Sequence, residues 1–311
     1  MSLLDGYKKS LKPLDVEEPI DVFVHRPLAY LLALVLYPTP VSPNVVTMFS
    51  IVCGVLAGVC LVDRSIAHHM VFGGLFIFLS AVVDCADGQL ARMRKTSSNF
   101  GRMLDGMADA VVSVVIVACG AVEVLRDHAS SWRELALYAC LVVLAAWTGT
   151  LHTASYDHYK NLFLRLTNEK YQEGEDMATA LARRQSLKSE ETPFLKVVWW
   201  VYLSYFTSQD RFGLWFDPYT TRRINSLPAY DAERARVFRE HNITPMRVWR
   251  GLFGVGTMVF GFAFFAAIDA LDWYLILRSI GLNLLFFGWL RPRQRRASRE
   301  GFEAIGVVPI R

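Results

Sequence analysis

VVDCADGQLARMRKTSSNFGRMLDGMADA, running from Val82 to Ala110, is the stretch whose reading decides the fold. Asp84 and Asp87 stand three residues apart and Asp105 and Asp109 four apart, so on helices each pair shares one face. Apolar sequence leads into the first pair (Met70 to Val83) and continues after the second (Ala110 to Leu125), placing the acids at the ends of two hydrophobic helices. The connection from Arg92 to Gly101 is short and polar, so the helices are antiparallel neighbours. All four carboxylates then come to the same side of a membrane.

A carboxylate near the middle of a bilayer helix costs about 2.5–3.5 kcal/mol on insertion scales, so four of them call for compensation. Hard divalent cations prefer carboxylate oxygens, and Mg²⁺ is usually shared between a few acids and substrate phosphates. Gly88 lets a ligand approach the backbone, Ala91 keeps the helix surface shallow, and Arg92 offers a fork matched to phosphate oxygens. Acids, small residues and arginine together describe a metal-diphosphate site.

Asp84, Asp87, Gly88, Ala91 and Arg92 form D-x-x-D-G-x-x-A-R; after an eight-residue spacer, Gly101, Asp105 and Asp109 complete G-x-x-x-D-x-x-x-D. This pattern resembles the signature of the class I CDP-alcohol phosphotransferases, integral membrane enzymes of phospholipid synthesis, and all eight signature positions are filled. The resemblance implies that Asp84, Asp87 and Asp105 ligate Mg²⁺ or Mn²⁺, with two ions expected. Asp109 would be a ligand, the catalytic base, or both. Gly88, Ala91, Arg92 and Gly101 would border the cytidine diphosphate, and the reaction would release CMP. Asn44 and Thr47 match a Pro-Asn and Thr of the family, and two readings stand for them: helix capping and contact with the nucleotide. The family also often forms homodimers through membrane helices.

The family runs in two directions. In one, CDP-diacylglycerol meets a small polar acceptor of the inositol phosphate, glycerol phosphate or serine type; in the other, a CDP-amino alcohol meets diacylglycerol. The flavour of SNFGRMLDGMADAVVS favours the first. A phosphorylated acceptor needs further cations, for which Lys160, Arg247, Arg250 and Arg291 at span ends are candidates, with anchoring to anionic headgroups as the competing reading.

Composition agrees with an all-α integral membrane protein: 311 residues, 53% of them hydrophobic, and a mean hydropathy of +0.28. The net charge of +4 says little about partners, and the scattered basic residues with no nucleotide-triphosphate or dinucleotide loop argue against nucleic acid. Five cysteines show neither metal nor disulfide spacing. Cys85, between two motif acids, reads as a small neutral filler.

Residues 1–42 read as a cytosolic tail followed by an interfacial helix, His25 to Tyr37, too short to span. Ser42 and Pro43 start the first span. Six spans are expected, at about 44–62, 67–90, 102–125, 135–156, 248–268 and 273–290. They give a membrane and catalytic region (43–157), a cytosolic or interfacial insertion between spans four and five (158–247), a second membrane region (248–291) and a basic cytosolic tail (292–311). Within the insertion, Phe194 to Phe206 is rich in Trp and Tyr and reads as an interfacial or re-entrant helix.

Arg92, Arg94, Lys95 and Arg102 in the hairpin and Arg291, Arg293, Arg295 and Arg296 in the tail place the site on the cytosolic face, with a bacterial inner membrane as the setting. Arg278 inside the sixth span is expected to snorkel or to pair with Asp269 or Asp272, His152 to bond a neighbouring helix, with substrate contact as the competing reading, and Glu123 to be solvated. Two rival classes fit less well. A UbiA-type prenyltransferase lacks the Gly-x-x-Ala-Arg element, and a cation transporter would hold its acids nearer the midplane.

Overall fold

The computed structural model describes residues 7, 13–96, 99–169, 185, 196, 199, 213–228 and 230–307, with the side chains of 99, 100, 102, 103 and 225 excepted. Most of the expected interfacial helix at 194–206, the first residues of the tail and the Ser97–Ser98 tip of the motif hairpin lie outside the described residues. No strand occurs among the described residues. Six helical stretches are long and apolar enough to cross a membrane: Pro43–Val62, His69–Arg94, Leu104–Asp127, Trp132–Thr167, Ala232–Ala267 and Leu271–Ala304. The protein is a multi-pass, all-α membrane protein. Several of these helices outrun the expected spans, because good helix-forming polar sequence such as AERARVFRE continues the apolar segment beyond bilayer length.

The chain divides into two compact units, residues 1–151 with 250–285, and 152–249 with 286–311. The first unit begins with a π-helical turn, Asp21–His25, that runs into α1, Arg26–Leu36. Small residues on one face of α1, Ala29 and Ala33, are buried, while Leu31 and Val35 on the other are exposed, as is Phe23 of the preceding turn. This suits a helix lying flat with one side on protein and the other on lipid. Helix α2, Pro43–Val62, starts as expected, with the Ser42 Oγ accepting from Val45 N at 3.4 Å.

Helix α3, His69–Arg94, carries the first acid pair and α4, Asn99–Asp127, the second. At its end, Lys95 takes the left-handed conformation (φ 56°) and closes α3 by donating its N–H back to Arg92 O. Arg94 does more than add basic charge to the hairpin. Its guanidinium gathers the carbonyls of Leu36 (2.6 Å), Tyr37 (3.1 Å), Thr39 (2.8 Å) and Val41, pinning the end of α1 and the following loop to the motif helix. Ala29, Ala33, Val46, Val82, Val83, Ala86 and Leu90 form the core beneath that clamp.

Helix α5, Trp132–Thr167, contributes its first part to this unit. After a short Pro218–Thr221 helix, α6, come α7, Ala232–Leu252, α8, Val255–Ala267, and the last helix α9, Leu271–Ala304, which contains π-helical turns at Leu277–Gly281 and Phe286–Leu290. Two buried polar groups differ from expectation. Glu123 is 5% exposed and paired with Arg64 at 2.8 Å, since the loop after α2 brings a guanidinium over it. Arg278 is also buried, and its Nη2 lies 2.9 Å from Met258 Sδ and beside Gly149, while Asp272 goes to His128 at 3.1 Å.

Glu18 caps α8: its Oε2 accepts from Thr257 N at 2.7 Å and Thr257 Oγ1 at 3.1 Å. Gly254 and Gly256 make room, since a Cβ on either would fall within 2.3 Å of Glu18 or Asp21 carboxyl atoms. Burial, then the neighbouring Asp21 carboxylate, pushes the Glu18 carboxyl from 4.5 up to about 7. The folded chain therefore binds this proton more tightly than the unfolded chain does. Its contribution to stability is fully present below pH 4.5 and is lost as pH rises through about 7. Glu18→Gln keeps an acceptor for Thr257 and is expected to flatten the fall in thermal stability across that window. An unfolding profile with the wild-type pH dependence would contradict this.

The second unit is built on the end of α5, α6, most of α7 and the end of α9. Tyr159 donates to Asp217 Oδ2 at 2.8 Å, and Asp217 caps α6 by accepting from Thr220 N (3.2 Å) and Thr220 Oγ1 (2.7 Å). Gln294 accepts from Trp249 Nε1 at 2.9 Å and donates to Asn242 Oδ1 at 3.0 Å. The stretch expected as a basic tail is helical here and buries Gln294, Ala297, Ser298 and Phe302. His152 is fully buried, with its ring 4.5 Å from that of Phe286.

Candidate metal and diphosphate site

The four acids sit where the hairpin joins α3 to α4, all within the first unit. One carboxylate oxygen each from Asp84, Asp87 and Asp105 lies within 4.8 Å of the others. Asp87 is buried, Asp84 and Asp105 half-buried. Asp109, one turn beyond Asp105, is exposed and stands outside that close group, yet it remains within electrostatic reach of Asp84. Three carboxylates at such spacing repel one another unless a cation or protons intervene. Their donor set is all hard oxygen from both helices, with open coordination left over, which fits Mg²⁺ or Mn²⁺ shared with a phosphate ligand.

Gly88 and Ala91 are half-buried on the same stretch of α3, and Arg92, exposed, lies along Gly88, where a Cβ would meet its Nη1 at 3.5 Å. Gly101 is half-buried in the first turns of α4. Thr47 is buried and donates its hydroxyl to Asp87 Oδ2, besides a 3.2 Å bond to Pro43 O. It therefore orients a carboxylate of the cluster, a role distinct from either of the two expected for it. Asn44 is half-buried in the first turn of α2.

The candidate acceptor cations are more dispersed. Lys160, Arg247 and Arg291 belong to the second unit and Arg250 to the first. Lys160 Nζ is 2.5 Å from Asp157 Oδ1, and Arg291 Nη2 donates to Phe216 O at 3.2 Å with its guanidinium over the Phe216 and Trp215 rings. Arg250 holds the carbonyls of Leu14 and Glu17 (3.2 Å to the latter), and Arg247 is exposed.

Sequence reasoning missed the segment before α1. Glu17 is paired with Arg26 at 3.1 Å and Asp21 with His25 at 2.8 Å. Asp21 is also within electrostatic reach of Asp84 and Cys85. The signal was faint. Five ionisable residues in the window from Glu17 to Arg26 are dense for an interfacial segment, but nothing in their spacing names a partner some sixty residues away.

Six apolar helices with an acidic cluster at the end of one helix pair define a class, polytopic membrane proteins whose polar chemistry is gathered on a helix hairpin. Residues 40–161 match the family model for CDP-alcohol phosphatidyltransferases. It is also similar to a phosphatidylinositol phosphate synthase of Mycobacteroides abscessus, 32% identical over 77 residues. That alignment covers 25% of this chain and spans about a third, 34%, of the relative's length.

Proposed function

We propose that the protein transfers a phosphatidyl group from CDP-diacylglycerol to a small polar alcohol, releasing CMP, on the cytosolic face of a membrane, in a bacterial setting the inner membrane. The observation that carries this reading is the convergence of Asp84, Asp87 and Asp105 beside Gly88 and Arg92. Asp84, Asp87 and Asp105 would hold Mg²⁺ or Mn²⁺, with Asp109 completing the set or acting as base. Bound there, the metal neutralises charge on the diphosphate and stabilises the departing CMP.

In the reaction the acceptor hydroxyl oxygen forms a bond to the lipid-linked phosphorus, and the bond from that phosphorus to the bridging oxygen breaks. The hydroxyl proton goes to a carboxylate within reach, for which exposed Asp109 is the candidate. Thr47 fixes the Asp87 rotamer. Arg92 orients phosphate oxygens through its fork. Orientation follows from the basic residues of the hairpin and the end of α9.

The relative's name supports an acceptor of the inositol phosphate type among the three considered. The test is CMP release by purified protein from CDP-diacylglycerol with inositol phosphate, glycerol phosphate or serine, with and without Mg²⁺. We expect metal-dependent CMP with one acceptor far ahead of the others. Turnover of a CDP-amino alcohol with diacylglycerol instead would reverse the assigned direction.

A further inference from the structure

Arg26 opens α1, and both neighbours fix its place. Its backbone carbonyl accepts from Gln89 Nε2 of the motif helix at 3.2 Å, and its Nη2 lies 3.1 Å from Glu17 Oε1. The side chain is 12% exposed and that of Glu17 3%. The remaining donors, Nε and Nη1, are shielded from water and meet no acceptor. A buried donor left unmade costs about 1–3 kcal/mol, more when charged, so a guanidinium kept this way calls for a ligand.

A second guanidinium stands close by. Arg26 and Glu17 are both within electrostatic reach of Arg92, the arginine that lies along Gly88. Of the other carboxylates, Asp87 accepts from Thr47 and belongs to the acid cluster, and Asp21 is paired with His25. The two guanidiniums repel each other, and the Glu17 carboxylate, paired with Arg26 Nη2, leaves Nε and Nη1 of that side chain unmet. An oxyanion with several lone pairs relieves both the repulsion and the orphaned donors, and phosphate fits two arginine forks best. The apolar residues exposed on α1, among them Leu31 and Val35, continue from Arg26 along the lipid-facing side, where acyl chains would lie.

We propose that Arg26, together with Arg92, grips the lipid-linked phosphate of the diphosphate donor, its guanidinium swinging from Glu17 toward Arg92 as the donor binds. This rests on the donor reading above. Arg26 is then a substrate-binding residue contributed by a segment outside the signature, and it makes the helix before the first span part of the site.

The test is calorimetric titration of purified full-length protein with CDP and with CMP in the presence of Mg²⁺. The wild type is expected to bind CDP more tightly than CMP, because CDP carries the second phosphate. Arg26→Gln should weaken CDP about tenfold or more and leave CMP unchanged, and Arg26→Lys, which keeps charge but loses the fork, should fall between. Should Arg26→Gln fail to fold, Glu17→Gln frees the guanidinium and is expected to tighten CDP severalfold with CMP unaltered. Equal losses for both nucleotides, no loss for either, or weaker CDP binding in Glu17→Gln overturns the proposal. Phosphatidylglycerol in mixed micelles is the second arm. If it binds in an Arg26-dependent way while CDP does not, the ligand is a bilayer headgroup and the proposal fails. Wild-type protein that binds neither nucleotide would instead sink the donor reading itself.

Discussion

Asp105→Asn is expected to abolish CMP release, by roughly a thousandfold or more, while making the metal-free protein more resistant to heat. Asp105 is the acid through which α4 joins the close group with Asp84 and Asp87 of α3, so any ion held there is held between two helices by this residue. Asparagine keeps the shape and one oxygen but removes the charge that binds a hard cation. Metal stabilisation of a phosphoryl-transfer transition state is worth several kcal/mol, and about 4 kcal/mol corresponds to roughly a thousandfold in rate. The same substitution removes one of three mutually repelling carboxylates, so without metal the fold gains stability. CMP release and thermal unfolding on one preparation check both signs. Loss of activity together with loss of stability would instead mark Asp105 as structural.

Gly74→Val is expected to be among the most destabilising single changes in the chain, for a reason far from the carboxylates. A Cβ at Gly74 of α3 would lie 2.4 Å from Ala263 O, 2.7 Å from Ala267 N and 2.8 Å from Ala267 Cβ of α8. Two of those atoms are backbone and cannot rotate away. Membrane helices associate largely through such close packing, and overpacking typically costs about 1–3 kcal/mol, with the upper end expected where backbone blocks relief. Unfolding in detergent, followed by intrinsic fluorescence or loss of monodispersity, should shift markedly downward. At permissive temperature the surviving protein should keep its metal dependence. A variant as stable as wild type would show that α3 and α8 do not meet this closely.

What was legible in the sequence was what local spacing encodes. Apolar runs of bilayer length gave the six spans, Ser42 with Pro43 gave the start of α2, and the acid spacings anticipated that Asp84 and Asp87 come together with Asp105. The segment that matches the family model, 40–161, contains all eight signature positions. Pairings that depend on tertiary contact were not legible. Thr47 reaching Asp87, Arg64 covering Glu123, and Arg94 collecting four carbonyls each join residues forty or more positions apart. Glu18 and Thr257 are separated by far more, and only the fold shows why Gly254 and Gly256 must be small. Arg278 misled because a charge in a span is assumed to seek a carboxylate, whereas here the soft Met258 sulfur and the space beside Gly149 receive it.

The central claim, that two neighbouring membrane helices pool carboxylates to hold a divalent ion for a diphosphate, is tested most directly by Mn²⁺ paramagnetic resonance on purified wild type and Asp105→Asn. The account predicts saturable Mn²⁺ binding in the wild type that tightens when CDP is added, and loss of both in the variant. Equal Mn²⁺ binding by the two proteins, indifferent to CDP, would contradict it.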